Sequence, residues 1–371
     1  MLIILLILIF IRPFISSLAF PYLNSVYSGL LLIFLIIWYI YKGISIKKIQ
    51  AIKYPLILFF LALIISMIFS SDKLNSLKEI YKYISGLLLF LIAASLTSEE
   101  KMNLIQSIVL AGLVISLLAI YQYFFGFQHI LNYITQQQNF EPFVLDYLSR
   151  KRVFFPFVTP NTLAGYLAMI IPLTLTHKDK IWFIIPISFA LLLTKSLGAL
   201  LSLFLGLSLY FLLQRKFEKR TILFLFGLLA IIGLIFMARL NTQKQHLQPI
   251  FSTVMRLNYW KDTLMIIKTS PLVGVGLGNF NLIHSRYAHN SYLQIWAEMG
   301  ILGIASFLWM LISVIYLGVK EIKNFPFKNQ ISSIFIANIV FLIHNFIDFS
   351  FFLPEVSVIW WLILGLIIDR Q

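Results

Sequence analysis

The chain has 371 residues, of which 60% are hydrophobic, 16% aromatic and only 12% charged, and its mean hydropathy is +0.92. No soluble domain of this length hides so much apolar surface, so composition excludes a soluble enzyme and points to a polytopic membrane protein. The formal charge of +15, from 29 Lys and Arg against 14 Asp and Glu, suggests anionic partners, and the lack of cysteine excludes disulfides and thiolate metal sites.

A helix needs about 20 mostly apolar residues to cross the hydrocarbon layer, and lipid tolerates no unpaired backbone, so the long apolar runs predict an all-α fold. In chain order the predicted spans are 2–19, 27–41, 54–70, 83–97, 104–125, 156–176, 181–194, 198–214, 221–239, 290–318, 332–350 and 354–369. These are twelve spans in one polytopic membrane domain covering 1–371. In the first, Arg12 sits beside Pro13, past the midpoint; an intramembrane cation is either functional or snorkels to the interface. Ser17 and Ala19 offer a signal-peptide reading, but no basic stretch precedes the apolar run, so a first span is preferred.

Threading twelve spans puts Lys42, Lys47, Lys48 and Lys53, then Lys178 and Lys180, then Arg215, Lys216, Lys219 and Arg220, then Lys320, Lys323 and Lys328 on one side. That side is read as cytoplasmic, with both termini in it. The other face nevertheless keeps Lys73, Lys78, Lys82, Arg150, Lys151, Arg152, Arg239, Lys244, Arg256, Lys261, Lys268 and Arg286. Something anionic is expected there, and on that side of a membrane a lipid phosphate or pyrophosphate suits better than a nucleic acid.

Two outer loops, 126–155 and 240–289, are too long to be simple turns. In the second, RLNYWKDTLMIIKTSP places Leu257, Trp260, Leu264 and Ile267 at helical spacing, which reads as a helix lying on the membrane surface. GVGLG follows at 274–278. Without a preceding strand it is no dinucleotide fingerprint; it is either a tight re-entry of the chain or a nest of amides for phosphate. His284 and His289, five apart and without companion carboxylates or thiols, do not suit a metal. His289 stands where an aqueous loop meets a helix, free to be neutral near pH 7 and to accept a proton, or merely interfacial. Glu298 shares a helical face with Asn290 and Gln294, a stripe read as interhelical glue. His344 and Asp348 form an i, i+4 pair near the end of the eleventh span.

The stretch from Arg256 through Trp260, Pro271, Gly274 and Gly276 to His289, Asn290, Tyr292, Leu293, Glu298, Gly300 and Gly303 resembles the signature of the O-antigen ligase and polymerase superfamily. Upstream, Arg152 followed by FFPFVTPNTLAGYLAMIIPL, with Pro160, Asn161 and Gly165, is similar to that family's second block. The likeness covers roughly 150–350. One departure is TKSLG, where many relatives show Ser-Arg-Gly: Leu197 stands in the arginine's place, and Lys195 is the candidate substitute.

The resemblance implies a GT-C-like, metal-independent, inverting membrane glycosyltransferase that needs no cofactor. Its active site would face the periplasm, at the outer face of a bacterial inner membrane. It would move a glycan from undecaprenyl pyrophosphate to an acceptor hydroxyl, on lipid A core for a ligase or on a growing glycan for a surface-polysaccharide polymerase. A leaving pyrophosphate needs cationic donors, which Arg152 and Arg256 can supply bidentately, and by the family likeness His289 is the base. The candidate substrate-binding set is Asn161, Arg286, Asn290, Lys195, His344 and Asp348, and Arg286 is expected to depress the His289 pKa. A lipid-linked oligosaccharide flippase or transporter is the competing class; convergence of the arginines and His289 on one cavity would disfavour it.

Overall fold

The computed structural model describes residues 1–43, 50, 52–136, 148, 150–176, 178–214, 218–240, 249–283, 285–324 and 329–368. Lys47, Lys48, Arg215, Lys216, Lys244, His284 and Lys328, with the middle of the first outer loop, lie outside the described residues.

Each predicted span coincides with helix, and no β-strand occurs among the described residues. The helices are α1 (Leu2–Ile11), α2 (Pro21–Lys42), α3 (Lys53–Ile68), α4 (Lys73–Ser95), α5 (Ser98–Tyr121), α6 (Phe127–Gln136) and α7 (Pro160–Thr174). They continue with α8 (Ile184–Leu193), α9 (Leu197–Leu213), α10 (Lys219–Leu240), α11 (Pro249–Thr269), α12 (Ser291–Asn324), α13 (Asn329–His344) and α14 (Pro354–Leu366). By length and composition four helical stretches can cross a membrane, namely Pro21–Lys42, Ser98–Gln136, Lys219–Leu240 and Ser291–Lys323, and six apolar helices are shorter.

Several ends differ from expectation for local reasons. The first span stops at Ile11, because Arg12 and Pro13 turn the chain into a 3₁₀ segment. Arg12 does not snorkel. It is fully buried, donating to Asn24 Oδ1 at 2.6 Å and to the Ile15 carbonyl at 3.2 Å, and lying 3.6 Å from Glu355 Oε2. The loop expected to start at 126 begins instead as helix, since α5 runs through a π-helical turn at Gln122–Gly126 into α6. That turn aims the Gln122 carboxamide at the next segment, where it accepts from Phe154 N (2.8 Å) and Phe155 N (3.0 Å). In α13 the helix ends at His344, so Asp348 sits in the following turn and not on the same helical face.

Buried and peripheral helices separate sharply. All of α14 is buried, as is α7 apart from Asn161, whereas α10 buries none of its residues. Close approach of the central helices is set by small residues: a Cβ on Gly365 of α14 would lie 2.3 Å from the Phe90 carbonyl oxygen of α4, and one on Gly86 would lie 2.4 Å from Trp361. Around α14, Phe341 stacks on Trp360 with centroids 5.0 Å apart.

Helix α12 is broken at Gly300, whose φ of 64° only glycine adopts readily. A break frees backbone groups that lipid cannot satisfy. Here the segment from Pro271 into the GVGLG loop supplies the partners: Val275 N donates to the Ala297 carbonyl (2.9 Å), Gly276 N to the Glu298 carbonyl (3.0 Å), and Ile301 N to the Pro271 carbonyl (2.9 Å). Among alternatives for this loop, the tight re-entry is therefore the correct one. The Gly274, Val275, Gly276 and Gly278 amides all have protein acceptors, so they form no phosphate nest.

The helix expected within the second outer loop exists as α11, and its packed face coincides with the expected stripe only in part, at Trp260 and Ile267. Thr263 and Ile267 are buried, while Leu257 and Leu264 are about half exposed, at 53% and 43%. The inward face instead carries Arg256 and Tyr259.

Candidate active site

Helices α8, α10 and α11, together with the segments before α7 and α12, enclose a cavity of about 660 Å³. Its polar wall holds Arg150, Arg152, Lys195, Arg239, Arg256 and His289, and no Asp or Glu is among its described lining residues. A second cavity of about 540 Å³ shares Arg152, Asn161, Arg239, Ser252 and Arg256 with the first and extends to His344 and Trp260. The remaining walls are mainly aliphatic side chains of α8, α9 and α10. Cations thus line the seam between two apolar-walled halves.

Arg152 is held by its neighbours. Gln122 and Leu193 fix the backbone that follows it through the amides of Phe154, Phe155 and Val153. The guanidinium donates from Nε to the Thr194 carbonyl (2.7 Å) and from Nη2 to Asn161 Oδ1 (2.8 Å), and that oxygen also accepts from Ser196 Oγ (3.1 Å). Asn161 accordingly lines the cavity as the residue that orients Arg152. Lys195 reaches the first cavity from the turn between α8 and α9, donating to the Arg150 carbonyl at 3.1 Å. Leu197, at the start of α9, lines the second cavity instead. Burial lowers the Lys195 pKa, and Arg152, Lys151 and Arg239 lower it further. Arg256 donates to Ser252 Oγ (3.1 Å), its buried Nε has no hydrogen-bond partner, and desolvation depresses its pKa against the opposing pull of Asp348. Such crowding of like charges in a low-dielectric site favours an anion among them.

His289 is gripped by α11 and by the turn after α13. Its ring stacks on Tyr259 (5.3 Å, 19°) and meets Phe349 edge-on (4.8 Å, 88°), and Nδ1 is buried without a partner. Burial pushes its pKa down to about 4; Asp348 opposes the shift and Arg256 adds to it. Arg286, expected to cause that shift, is exposed and lines neither cavity. The reason is a local turn. Ser285 Oγ accepts from Tyr287 N, Tyr287 stacks on Phe349 at 4.2 Å, and the intervening Arg286 is turned outward. Asn290 also departs from its expected binding role, because its Oδ1 caps α12 by accepting from Tyr292 N (3.0 Å) and Leu293 N (3.1 Å).

Asp348 is fully buried. Its Oδ2 accepts from Ser350 Oγ (2.8 Å) and lies 3.2 Å from His344 Nε2, so one oxygen of this carboxylate is served from two sides. Room for the His344 ring exists because residue 165 is glycine: a Cβ there would lie 2.4 Å from His344 Cδ2. His344 and Asp348 thus support the cavity from behind, with His344 reaching its surface.

Sequence reasoning counted Arg150 and Arg239 among the outer cations expected to meet an anion without singling them out as site residues, and it missed Tyr259. One backbone signal coincides with the site. The non-glycine residues at positive φ among those described are Lys151, Lys195 and His289, and such conformations cluster where surrounding structure imposes them for function.

Residues 182–308 match a family model described as O-antigen ligase. No curated protein matches the chain. The match supports the O-antigen ligase and polymerase superfamily and, with the apolar helices, a bacterial membrane protein acting in that type of function. The matched stretch contains Lys195, Arg256 and His289, whereas Arg152, Asn161, His344 and Asp348 lie outside it and join the site through the fold.

Proposed function

We propose that the protein is a membrane glycosyltransferase of the O-antigen ligase type, moving a glycan from undecaprenyl pyrophosphate to an acceptor hydroxyl at the periplasmic face of the inner membrane. The observation that carries the reading is the convergence of Arg152, Lys195, Arg239 and Arg256 with His289 on one apolar-walled cavity. The pyrophosphate lies among the cations and the polyprenyl chain along the aliphatic walls of α8 and α10. The acceptor oxygen attacks the anomeric carbon and the bond from that carbon to the phosphate oxygen breaks. The electron pair leaves with the pyrophosphate, and the acceptor proton passes to the His289 imidazole. Arg152 and Arg256 stabilise charge that grows on the leaving oxygen, in a site where water does not screen it. Because the cationic groups gather at one cavity instead of along a path, this chemistry accounts for them better than transport does.

The test is incubation of purified protein with a lipid-linked glycan and either lipid A core or a second lipid-linked unit, followed by sizing of products. A single addition to lipid A core supports the ligase; a ladder makes the protein a polymerase with the same donor and site. His289→Ala should lose about 10²-fold to 10⁴-fold in turnover with donor affinity nearly unchanged. No product with either acceptor, together with movement of donor between leaflets when the protein is reconstituted in vesicles, would replace this reading with a flippase.

A further inference from the structure

His289 sits at φ 52°, a conformation that a non-glycine residue keeps only when its flanks are fixed. After it, Asn290 caps α12. Before it, the Ala288 amide donates to Gln294 Oε1 at 3.1 Å. The same carboxamide donates from Nε2 to Glu298 Oε1 at 3.0 Å, and Glu298 Oε2 accepts from the Gly278 amide at 3.1 Å. These bonds form a line from the glycine loop across one face of α12 to the residue preceding the base. Ala288 is wholly buried, and Gln294 and Glu298 are each 3% exposed, so no water substitutes easily for a lost partner.

The anchor at the far end is firm. The Glu298 carbonyl accepts from Ser66 Oγ of α3 (2.7 Å) and from Gly276 N (3.0 Å), and Gly278 leans on α4, where Asn75 Nδ2 donates to its carbonyl. A pair read from sequence as interhelical glue thus binds two loops to its own helix. Both Glu298 oxygens act as acceptors and the Gln294 carboxamide uses one end to accept and the other to donate. One carboxamide and one carboxylate thus satisfy both amides and each other.

We propose that Gln294 and Glu298 are positioning residues for the proposed base, a hydrogen-bonded relay that sets the His289 ring against the cationic cavity. The inference rests on His289 acting as base. It does not concern donor binding, because neither residue lines either cavity.

Hydrogen-bond counting supplies the test. In Glu298→Gln the side chain offers one carbonyl to two donors, Gly278 N and Gln294 Nε2, so one is left unpaired. In Gln294→Glu two carboxylates face each other and the central N–H is lost. In the exchanged pair, Gln294→Glu with Glu298→Gln, the carboxylate now at position 294 accepts from Ala288 N and from the carboxamide now at position 298, whose carbonyl accepts from Gly278 N. All three bonds are restored with one carboxylate retained.

Each single variant should therefore lose on the order of 10-fold to 100-fold in kcat, the usual effect of displacing a reacting group by a fraction of an ångström, with little change in donor KM. The exchanged pair should recover to within a few-fold of the starting protein. Hydrogen exchange of the peptide covering 285–290 should rise in the singles and return in the exchanged pair, a readout independent of activity. In a His289→Ala background, Gln294→Glu should cost no further activity, whereas a purely structural role would still reduce it. If the singles keep full kcat, or the exchanged pair is worse than either, the relay is refuted while the base assignment stands. If His289→Ala is itself near full activity, the base assignment fails, and the exchange measurement still reports whether the relay orders the segment.

Discussion

The depressed His289 pKa makes a quantitative prediction about when the base becomes effective. Burial is the main cause, and it holds the group at about 4, opposed by Asp348 and assisted by Arg256. A neutral imidazole at pH 7 can accept a proton, but a base of that pKa is weaker than the ordinary value near 6.5 would give. The donor changes this. A single negative charge about 6 Å from the ring, at an effective dielectric near 20, contributes roughly 3 kcal/mol and raises the pKa by about 2. Pyrophosphate bound among Arg152, Lys195 and Arg256 places such charge beside His289, since all four residues line the same cavity. The sign is fixed: anion binding favours the protonated imidazolium, so the histidine becomes a stronger base once donor is in place. The acid limb of kcat/KM, which reports the free enzyme, should therefore fall near 4, while the limb of kcat, which reports the loaded enzyme, should lie about 2 pH units higher. The assay is turnover of lipid-linked glycan from acid to neutral pH, at limiting and saturating donor, with return to neutrality after each point to exclude irreversible unfolding. Coincident limbs near the ordinary histidine value of about 6.5 would refute the argument, because they would mean the ring is neither desolvated nor close to the bound phosphates.

Further outcomes follow from the same geometry. Arg256→Lys keeps the charge but loses the fork, so it should lose most of its turnover; near-full activity would remove the bidentate role. Arg239→Ala should raise donor KM, because Arg239 lines both cavities, whereas the outward Arg286→Ala should stay within a few-fold of the starting protein; the reverse ranking in a donor-binding assay would displace the site. Topology is testable in a chain without native cysteine: an impermeant thiol reagent should label Ile283→Cys, at a position 95% exposed, in intact cells, and Glu218→Cys only after lysis. Opposite labelling would invert the proposed orientation.

What sequence alone determines here follows from composition and local chemistry. Apolar runs must become helices in lipid, and each of the twelve predicted segments carries helix. Local breakers read through less well: the predicted spans 2–19 and 290–318 run past Pro13 and Gly300, where the helices stop or kink, and Asn290, expected as a binding residue, is a helix cap. The signature around His289 and Arg256 is legible because its spacing is local, and the family match falls on it. Tertiary structure decided which charges meet. Arg150, Arg152, Lys195, Arg239 and Arg256 are dispersed over more than 100 residues of sequence, and only the packing of α7 to α12 gathers them. It also decided orientation within short segments. Arg286 points away while His289 points in, because Tyr287 stacks on Phe349 and Gln294 holds Ala288. The inward face of α11 is set by its packing against α12 and by the stacking of Tyr259 on His289, not by its own leucines. Arg12 is buried because Glu355 and Asn24 come to it from distant helices. Helix formation depends on neighbours a turn apart and can be read along the chain; burial, facing and the company of charges depend on partners that sequence separation conceals.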